Sequence, residues 1–263
     1  MITNSFLCLI IFLFGLSVGS FLNSVIYRLY SDEKFLFDRS YCPYCKHKLS
    51  WQDLIPLLSF LILKGKCRYC HQPISLQYPS VELATGILFV LIVIHTLPNL
   101  LFTFYYLLIT CFLIIVFIYD FKHYIVPDKI IYPAITITFI FNIFYSIFII
   151  NNLKFIIQNL LSAFGPATFF LAIVLISRGK WMGLGDAKLA FFIGFFLGFP
   201  SILVALFLAF FIGAIIGLGL ILSGQKTLKS EVPFGPFLVI GAFTALFFGQ
   251  NIIDWYFSLF NLI

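Results

Sequence analysis

The sequence predicts an all-α fold, a polytopic transmembrane helix bundle of about seven or eight spans with one small polar loop domain. Three observations carry this. Of 263 residues, 62% are apolar and only 10% charged, against roughly 45–50% and about 25% in a soluble domain. Such a chain cannot cover a water-facing surface, which excludes a soluble enzyme, a disordered chain and a secreted disulfide scaffold. Apolar runs near the ~20 residues that cross a bilayer as a helix recur along nearly the whole length. One polar stretch, 29–80, holds 11 of the 26 charged residues and four of the six cysteines. The expected organisation is therefore a first span at 1–28, a polar domain at 29–80 and a membrane domain at 81–263.

The runs place spans at roughly 5–28, 81–97, 101–120, 130–150, 156–177, 187–199, 202–223 and 234–262. The 187–199 segment is short enough to tilt or to fuse with its neighbour across Phe199-Pro200. The last one contains Gly241 and Gly249 and reads as open to a break or a re-entrant turn. The first apolar stretch has no basic n-region and is too long for an h-region, so a retained span is expected rather than a cleaved signal peptide. Cys8 and Cys111 lie inside spans and read as small packing residues.

Alternating these spans puts Arg28, Lys34, Arg39, Lys46, Lys48, Lys64, Lys66, Arg68, Lys122, Lys129, Arg178, Lys180, Lys188, Lys226 and Lys229 on one face. Only Lys154 falls opposite, so fifteen of sixteen basic residues share a side. That side is expected to be cytoplasmic and the N-terminus outside. The net charge of +6 is divided among short loops and does not predict a nucleic-acid partner.

Within the polar stretch stand Cys42-Pro-Tyr-Cys45 and Cys67-Arg-Tyr-Cys70, with 21 residues between the pairs. Two residues between thiolates let one turn present both sulfurs to a metal, and two such turns close a tetrahedral shell around zinc. A reducing cytoplasm disfavours disulfides. A four-thiolate site has no open position, so its expected role is structural; a redox pair or unmetallated thiols is the competing reading. His47 and His71 read as solvated loop histidines, and Asp32, Glu33, Asp38 and Asp53 as ordinary solvated charges.

A carboxylate beside hydrocarbon costs roughly 2.5–3.5 kcal/mol on insertion scales and calls for a functional explanation. With Glu231 in a polar loop and Asp254 near the outer end of the last span, the acids left to explain are Glu82, Asp120, Asp128 and Asp186. Asp120 closes a long apolar run. Asp128 follows Pro127, which suits the first turn of a helix, where the macrodipole accommodates an acid. Asp186 stands in Met182-Gly-Leu-Gly185-Asp186-Ala-Lys188, whose glycines allow close backbone approach; a helix N-terminal aspartate after a flexible turn is the bland alternative. Asp120 and Asp186, brought within hydrogen-bond reach, could not both ionise easily. Such a pair shares a proton and can set water against an amide carbonyl, without a covalent intermediate.

Other nucleophile strings lack their context. Gly15-Leu-Ser17-Val-Gly19 lies inside an apolar span rather than on a strand-to-helix elbow. Ser-x-x-Lys at Ser31, Ser177 and Ser223 has no companion motif, and no His-Glu-x-x-His string is present. His95 and His123 read as interface or packing residues.

An ordered set of residues resembles the prepilin peptidase (type IV leader peptidase) family, membrane aspartic proteases with a Gly-x-Gly-Asp signature. It comprises Gly19-Ser-Phe-Leu-Asn23 and Arg28, the two CxxC pairs, Trp51, Pro56, and Tyr78-Pro79 with Glu82, Thr85 and Gly86. Asp120, Val126-Pro127-Asp128, Met182 to Leu189 and Pro233-Phe-Gly-Pro236 complete it. Ser24 and Tyr30 depart from the Val and Pro expected there. The resemblance implies catalytic aspartates at Asp120 and Asp186, with Asp128 a secondary candidate. It implies cleavage of the basic leader of type IV prepilins or type II secretion pseudopilins at the cytoplasmic face of the bacterial inner membrane. The cysteine-bearing loop further implies N-methylation of the new N-terminus with S-adenosylmethionine, for which Glu82 and Gly86 are the candidate binding residues. Two other readings compete: an ion-coupled transporter using the intramembrane acids, which leaves the cysteines without a role, and a non-catalytic pilus assembly factor docking through zinc.

Overall fold

The computed structural model describes residues 2–31, 40–152, 154–225, 227 and 232–259. Lys34, Arg39, Lys226 and Lys229, with Asp32, Glu33, Asp38 and Glu231, lie outside the described residues. The helices are α1 (Ile2–Ser31), α2 (Leu58–Ile62), α3 (Gln77–Thr96), α4 (Leu100–His123), α5 (Asp128–Phe144), α6 (Lys154–Ser177), α7 (Leu184–Leu197), α8 (Ser201–Leu222) and α9 (Gly235–Leu259). A wider helical turn, Tyr145–Ile150, extends α5. Among the described residues, seven helices are long and apolar enough to cross a membrane: α1, α3, α4, α5 with its extension, α6, α8 and α9.

The chain forms two compact units, Met1–Ile115 and Val116–Ile263. In the first, α1 packs along α3 through small residues. A Cβ on Gly15 would lie 2.8 Å from the Gly86 Cα, and one on Gly19 would lie 2.7 Å from the Glu82 Cα. Lipid offers apolar helices little reason to associate, so such close backbone approach supplies the dispersion contact that holds them. The glycines of the Gly15–Gly19 string thus serve helix packing. At the far end of α3, Thr96 and Thr103 share a hydroxyl hydrogen bond of 2.7 Å across the short turn into α4.

The second unit is built around α7. Its 14 residues make a helix about 21 Å long, too short for a hydrocarbon core of about 30 Å. It packs against α5, α6, α8 and α9, and Leu189, Ala190, Phe192 and Ile193 are wholly buried. It ends at Gly198 (φ 69°), so it does not fuse with α8. A ladder of amides crosses its surroundings: Asn159 Nδ2 donates to Asn142 Oδ1 at 3.2 Å, and Asn142 Nδ2 donates to the Phe195 carbonyl at 3.2 Å. Gly194 lies so close to α6 that an added Cβ would run into the Ser162 carbonyl. Backbone cannot swing aside as a side-chain tip can, so Gly194→Ala is expected to cost about 1–3 kcal/mol, seen as a lower melting temperature in detergent.

The last span is one continuous helix, neither broken nor re-entrant. Gly241 serves contact instead: a Cβ there would strike the Ala205 carbonyl of α8. Gly249 faces Ser201 of the same helix.

Candidate active site and metal centre

In the second unit, Asp120 occupies the last turn of α4 and is 4% exposed. Its Oδ2 accepts the Gly235 N–H at 3.0 Å, and Gly235 opens α9. The free amides at a helix N-terminus attract negative charge, so α9 presents a polar end to this buried acid. Only glycine leaves room: a Cβ at 235 would fall 2.5 Å from Asp120 Oδ2.

Asp186 lies in the first turn of α7, outside the seven long spans. Gly185 lets that turn approach the α4–α5 link, since a Cβ there would sit 3.0 Å from the Val126 Cβ. Burial pushes the Asp186 carboxyl up to about 7, the charge of Asp120 adds to the rise, and a backbone hydrogen bond from Gly183 opposes it. Asp120 and Asp186 are thus electrostatic neighbours, sixty-six positions apart in sequence.

Asp128 stands in the first turn of α5, following Pro127. Its partner is a cation: Lys188 Nζ donates to Asp128 Oδ1 at 2.6 Å and lies 5.0 Å from the Tyr132 ring centre. The Asp128 side chain remains 58% exposed. Among the candidate acids of this unit, the structure gathers Asp120 and Asp186 and leaves Asp128 on a salt bridge joining α5 to α7.

Gly235 received no role of its own from sequence. The signal was Pro233-Phe-Gly235-Pro236, a glycine between two prolines and hence a helix start; its partner 115 positions away was not visible. His123 packs its ring, tilted, against that of Tyr119 one turn earlier in α4, with centres 4.7 Å apart.

In the first unit, Cys42, Cys45, Cys67 and Cys70 bring their sulfurs within 4.8 Å of one another. The Cys42 and Cys70 sulfurs are 3.8 Å apart, and four sulfurs at about 2.3 Å from one tetrahedral zinc are separated by about 3.8 Å. The donor set therefore fits zinc. The two cysteine turns repeat each other. Cys42 N–H donates to the His47 carbonyl and Lys46 N–H to Cys42; Cys67 N–H donates to Gln72 and His71 N–H to Cys67. Lys46 and His71 both take left-handed backbone, φ 56° and 58°. His47 is exposed, as expected of a loop histidine, and its ring lies tilted against Tyr69 with centres 3.7 Å apart.

Asp53 corrects an expectation. Its side chain is 4% exposed and ties the module together, accepting from Arg68 Nε at 2.7 Å, the Ser50 hydroxyl at 2.8 Å and the Tyr69 hydroxyl at 3.2 Å. Glu82, in α3, is buried and accepts the Leu57 N–H at 2.8 Å. Gly86 lies at the α1–α3 crossing, where a Cβ would meet Phe12 at 2.9 Å and Leu16 at 3.0 Å. Its space is taken by packing, which leaves Glu82 as the member of that pair with a polar group to offer.

Comparison with known proteins agrees with this layout. The Bacterial Peptidase A24 N-terminal domain matches residues 13–96, and the Type IV leader peptidase family matches 107–218. The chain belongs to the type IV leader peptidase family. A protein of Aeromonas salmonicida (strain A449) named prepilin leader peptidase/N-methyltransferase is 33% identical over 95% of this chain and 93% of its own length. Relatives bearing the same name in Legionella pneumophila and Bacillus subtilis (strain 168) are each 33% identical, over 95% and 94% of this chain and 94% and 96% of their own. No solved structure matches. As a family member the chain carries both parts: the N-terminal match takes in the cysteine module, Glu82 and Gly86, and the peptidase match takes in Asp120, Asp128 and Asp186. The transporter and assembly-factor readings find no support among these relatives.

Proposed function

We infer that this protein is a prepilin leader peptidase that also methylates the N-terminus it creates. Its substrates are type IV prepilins or type II secretion pseudopilins, whose basic leader precedes an apolar helix. The observation that carries the peptidase reading is the burial of Asp120 beside Asp186 at helix ends, where such a scissile bond would arrive without leaving the membrane edge.

The two carboxyls divide the work. Asp120, facing the α9 N-terminus through the Gly235 amide, is the ionised member; Asp186, raised to about 7, holds the shared proton. Asp120 takes a proton from water as the water oxygen bonds to the scissile carbonyl carbon, and Asp186 protonates the carbonyl oxygen. Asp120 then gives its proton to the leaving nitrogen while Asp186 takes one back from a hydroxyl of the tetrahedral diol, and the C–N bond breaks as the C=O bond re-forms.

Two expectations follow from that division. An acid whose proton is needed works below its raised pKa, so the cleavage rate falls as pH rises through about 7, approaching tenfold per unit on the alkaline limb. A pH–rate profile on vesicles checks this. Gly235→Ala forces the Asp120 carboxylate off its amide; the clash falls on a side chain rather than on backbone, so the chain is expected to fold, at about 1–3 kcal/mol for the lost buried hydrogen bond. It is expected to lower cleavage by roughly 10–100-fold with a modestly lower melting temperature.

Zinc held by Cys42, Cys45, Cys67 and Cys70 would brace the loop domain and take no part in bond cleavage. S-adenosylmethionine would supply the methyl group. Glu82 is the residue proposed to face it or the new amine, with Gly86 contributing through the close α1–α3 approach. The basic-residue distribution supports an inner-membrane protein with its N-terminus outside and both sites cytoplasmic. The test is incubation of the detergent-purified protein with a peptide carrying a basic leader and an apolar segment. Mass spectrometry is expected to find hydrolysis after the leader glycine, and an extra methyl group when the donor is added. Intact peptide refutes the peptidase reading.

A further inference from the structure

The segment between the two cysteine turns carries an apolar surface that none of the foregoing chemistry uses. Trp51, Leu58, Leu61 and Ile62 are 73%, 55%, 68% and 73% exposed. Leu58, Leu61 and Ile62 share one face of α2 by their helical spacing, and α2 packs against the 3-10 turn Trp51–Leu54. Exposed apolar side chains are ordinary on the spans, where lipid covers them. Here they stand on a loop that composition marks as polar.

The depth of that loop is set by one hydrogen bond. Leu57, immediately before α2, donates its N–H to Glu82, five residues into α3 and at the start of the 81–97 apolar run. Leu57 there holds a positive φ of 59° with ψ −49°, a sparsely populated conformation that costs a non-glycine residue about 1–3 kcal/mol. Glu82 also accepts a hydrogen bond from Ser20 of α1, and Asn23 donates to the Tyr78 carbonyl at 3.1 Å. The level of Glu82 therefore lies well inside α1, eleven residues before its end at Ser31. The start of α2 is thereby tied to the polar end of the α3 apolar run. Directly after α2 come Lys64 and Lys66, both exposed.

An apolar face at that depth, followed by cations, is the pattern of a segment lying in the head-group layer, its apolar side roughly 5–10 Å deep and its lysines on lipid phosphates. We propose that residues 51–62 form an interfacial anchor that seats the cysteine module on an anionic bilayer leaflet. The partner is lipid. Continuity with α3 through Glu82 and the adjacent lysines argue for it over a protein.

The chain has three tryptophans, so Trp181→Phe with Trp255→Phe leaves Trp51 as the single reporter in the full-length protein. In nanodiscs of phosphatidylglycerol and phosphatidylethanolamine, Trp51 emission is expected to be blue-shifted, to lose most of its intensity to lipids spin-labelled high on the acyl chain, and to resist aqueous acrylamide. Adding Leu61→Asp and Ile62→Asp is expected to reverse all three while the melting temperature holds. Free quenching by acrylamide with none from the labelled lipid overturns the proposal. Shielding from both quenchers also overturns it, since a protein surface would then cover the face.

Discussion

Asp120→Asn or Asp186→Asn is expected to reduce leader cleavage in membranes by roughly 10²–10⁴-fold, the scale of losing positioned general acid–base catalysis. Each substitution keeps the side-chain volume, and in Asp120→Asn the side-chain amide oxygen can still accept the Gly235 N–H, so the fold should survive; the melting temperature in detergent checks this. Asp128→Asn breaks only the bridge to Lys188, a partly exposed pair worth on the order of 0–1 kcal/mol, and should leave most activity in place. The contrast is the test. Persistent processing in either the Asp120 or the Asp186 variant removes that residue from the mechanism, and loss of processing in Asp128→Asn alone would move the catalytic acid to the start of α5.

The second large effect belongs to the cysteine module. Cys42→Ser with Cys67→Ser removes one sulfur from each turn and should abolish metal retention; structural zinc sites contribute about 10–16 kcal/mol of apparent binding energy to the folds they close. Elemental analysis is expected to find one zinc per wild-type chain and none in the variant. The 42–73 segment should become sensitive to protease, because it is built from short turns with isolated strand bridges at Tyr41–Lys48 and Lys66–Pro73. Wild-type protease resistance in the variant would show that the hydrogen bonds of Asp53 and the turns hold the module without metal.

Much of the candidate site was legible because chemistry in a membrane protein stands out against a uniform background. Four cysteines in two Cys-x-Tyr-Cys turns, and an acid ending an apolar run, are each expensive to place by accident. The matched backbone bonding of the two turns, 25 positions apart, was also within reach as a short repeat. Asp53 was not: a loop acid beside basic residues looks solvated until Arg68, Ser50 and Tyr69 are seen closing over it.

Residue order alone determined that the chain is helical, crosses a membrane several times and carries a four-sulfur module, because hydropathy, helical length and ligand spacing are local properties set over at most a few tens of residues. Which acids come together, and which pairs with a cation instead, was decided only in three dimensions. Lys188 takes up Asp128 while Gly235 receives Asp120, and both outcomes depend on where α7 and α9 begin relative to α4 and α5. That registry rests on glycines whose missing Cβ atoms permit contact with residues far along the chain, such as Gly185 at Val126 and Gly194 at Ser162. The shortness of α7 was legible in Gly198-Phe-Pro200, but its enclosure by α5, α6, α8 and α9 was not.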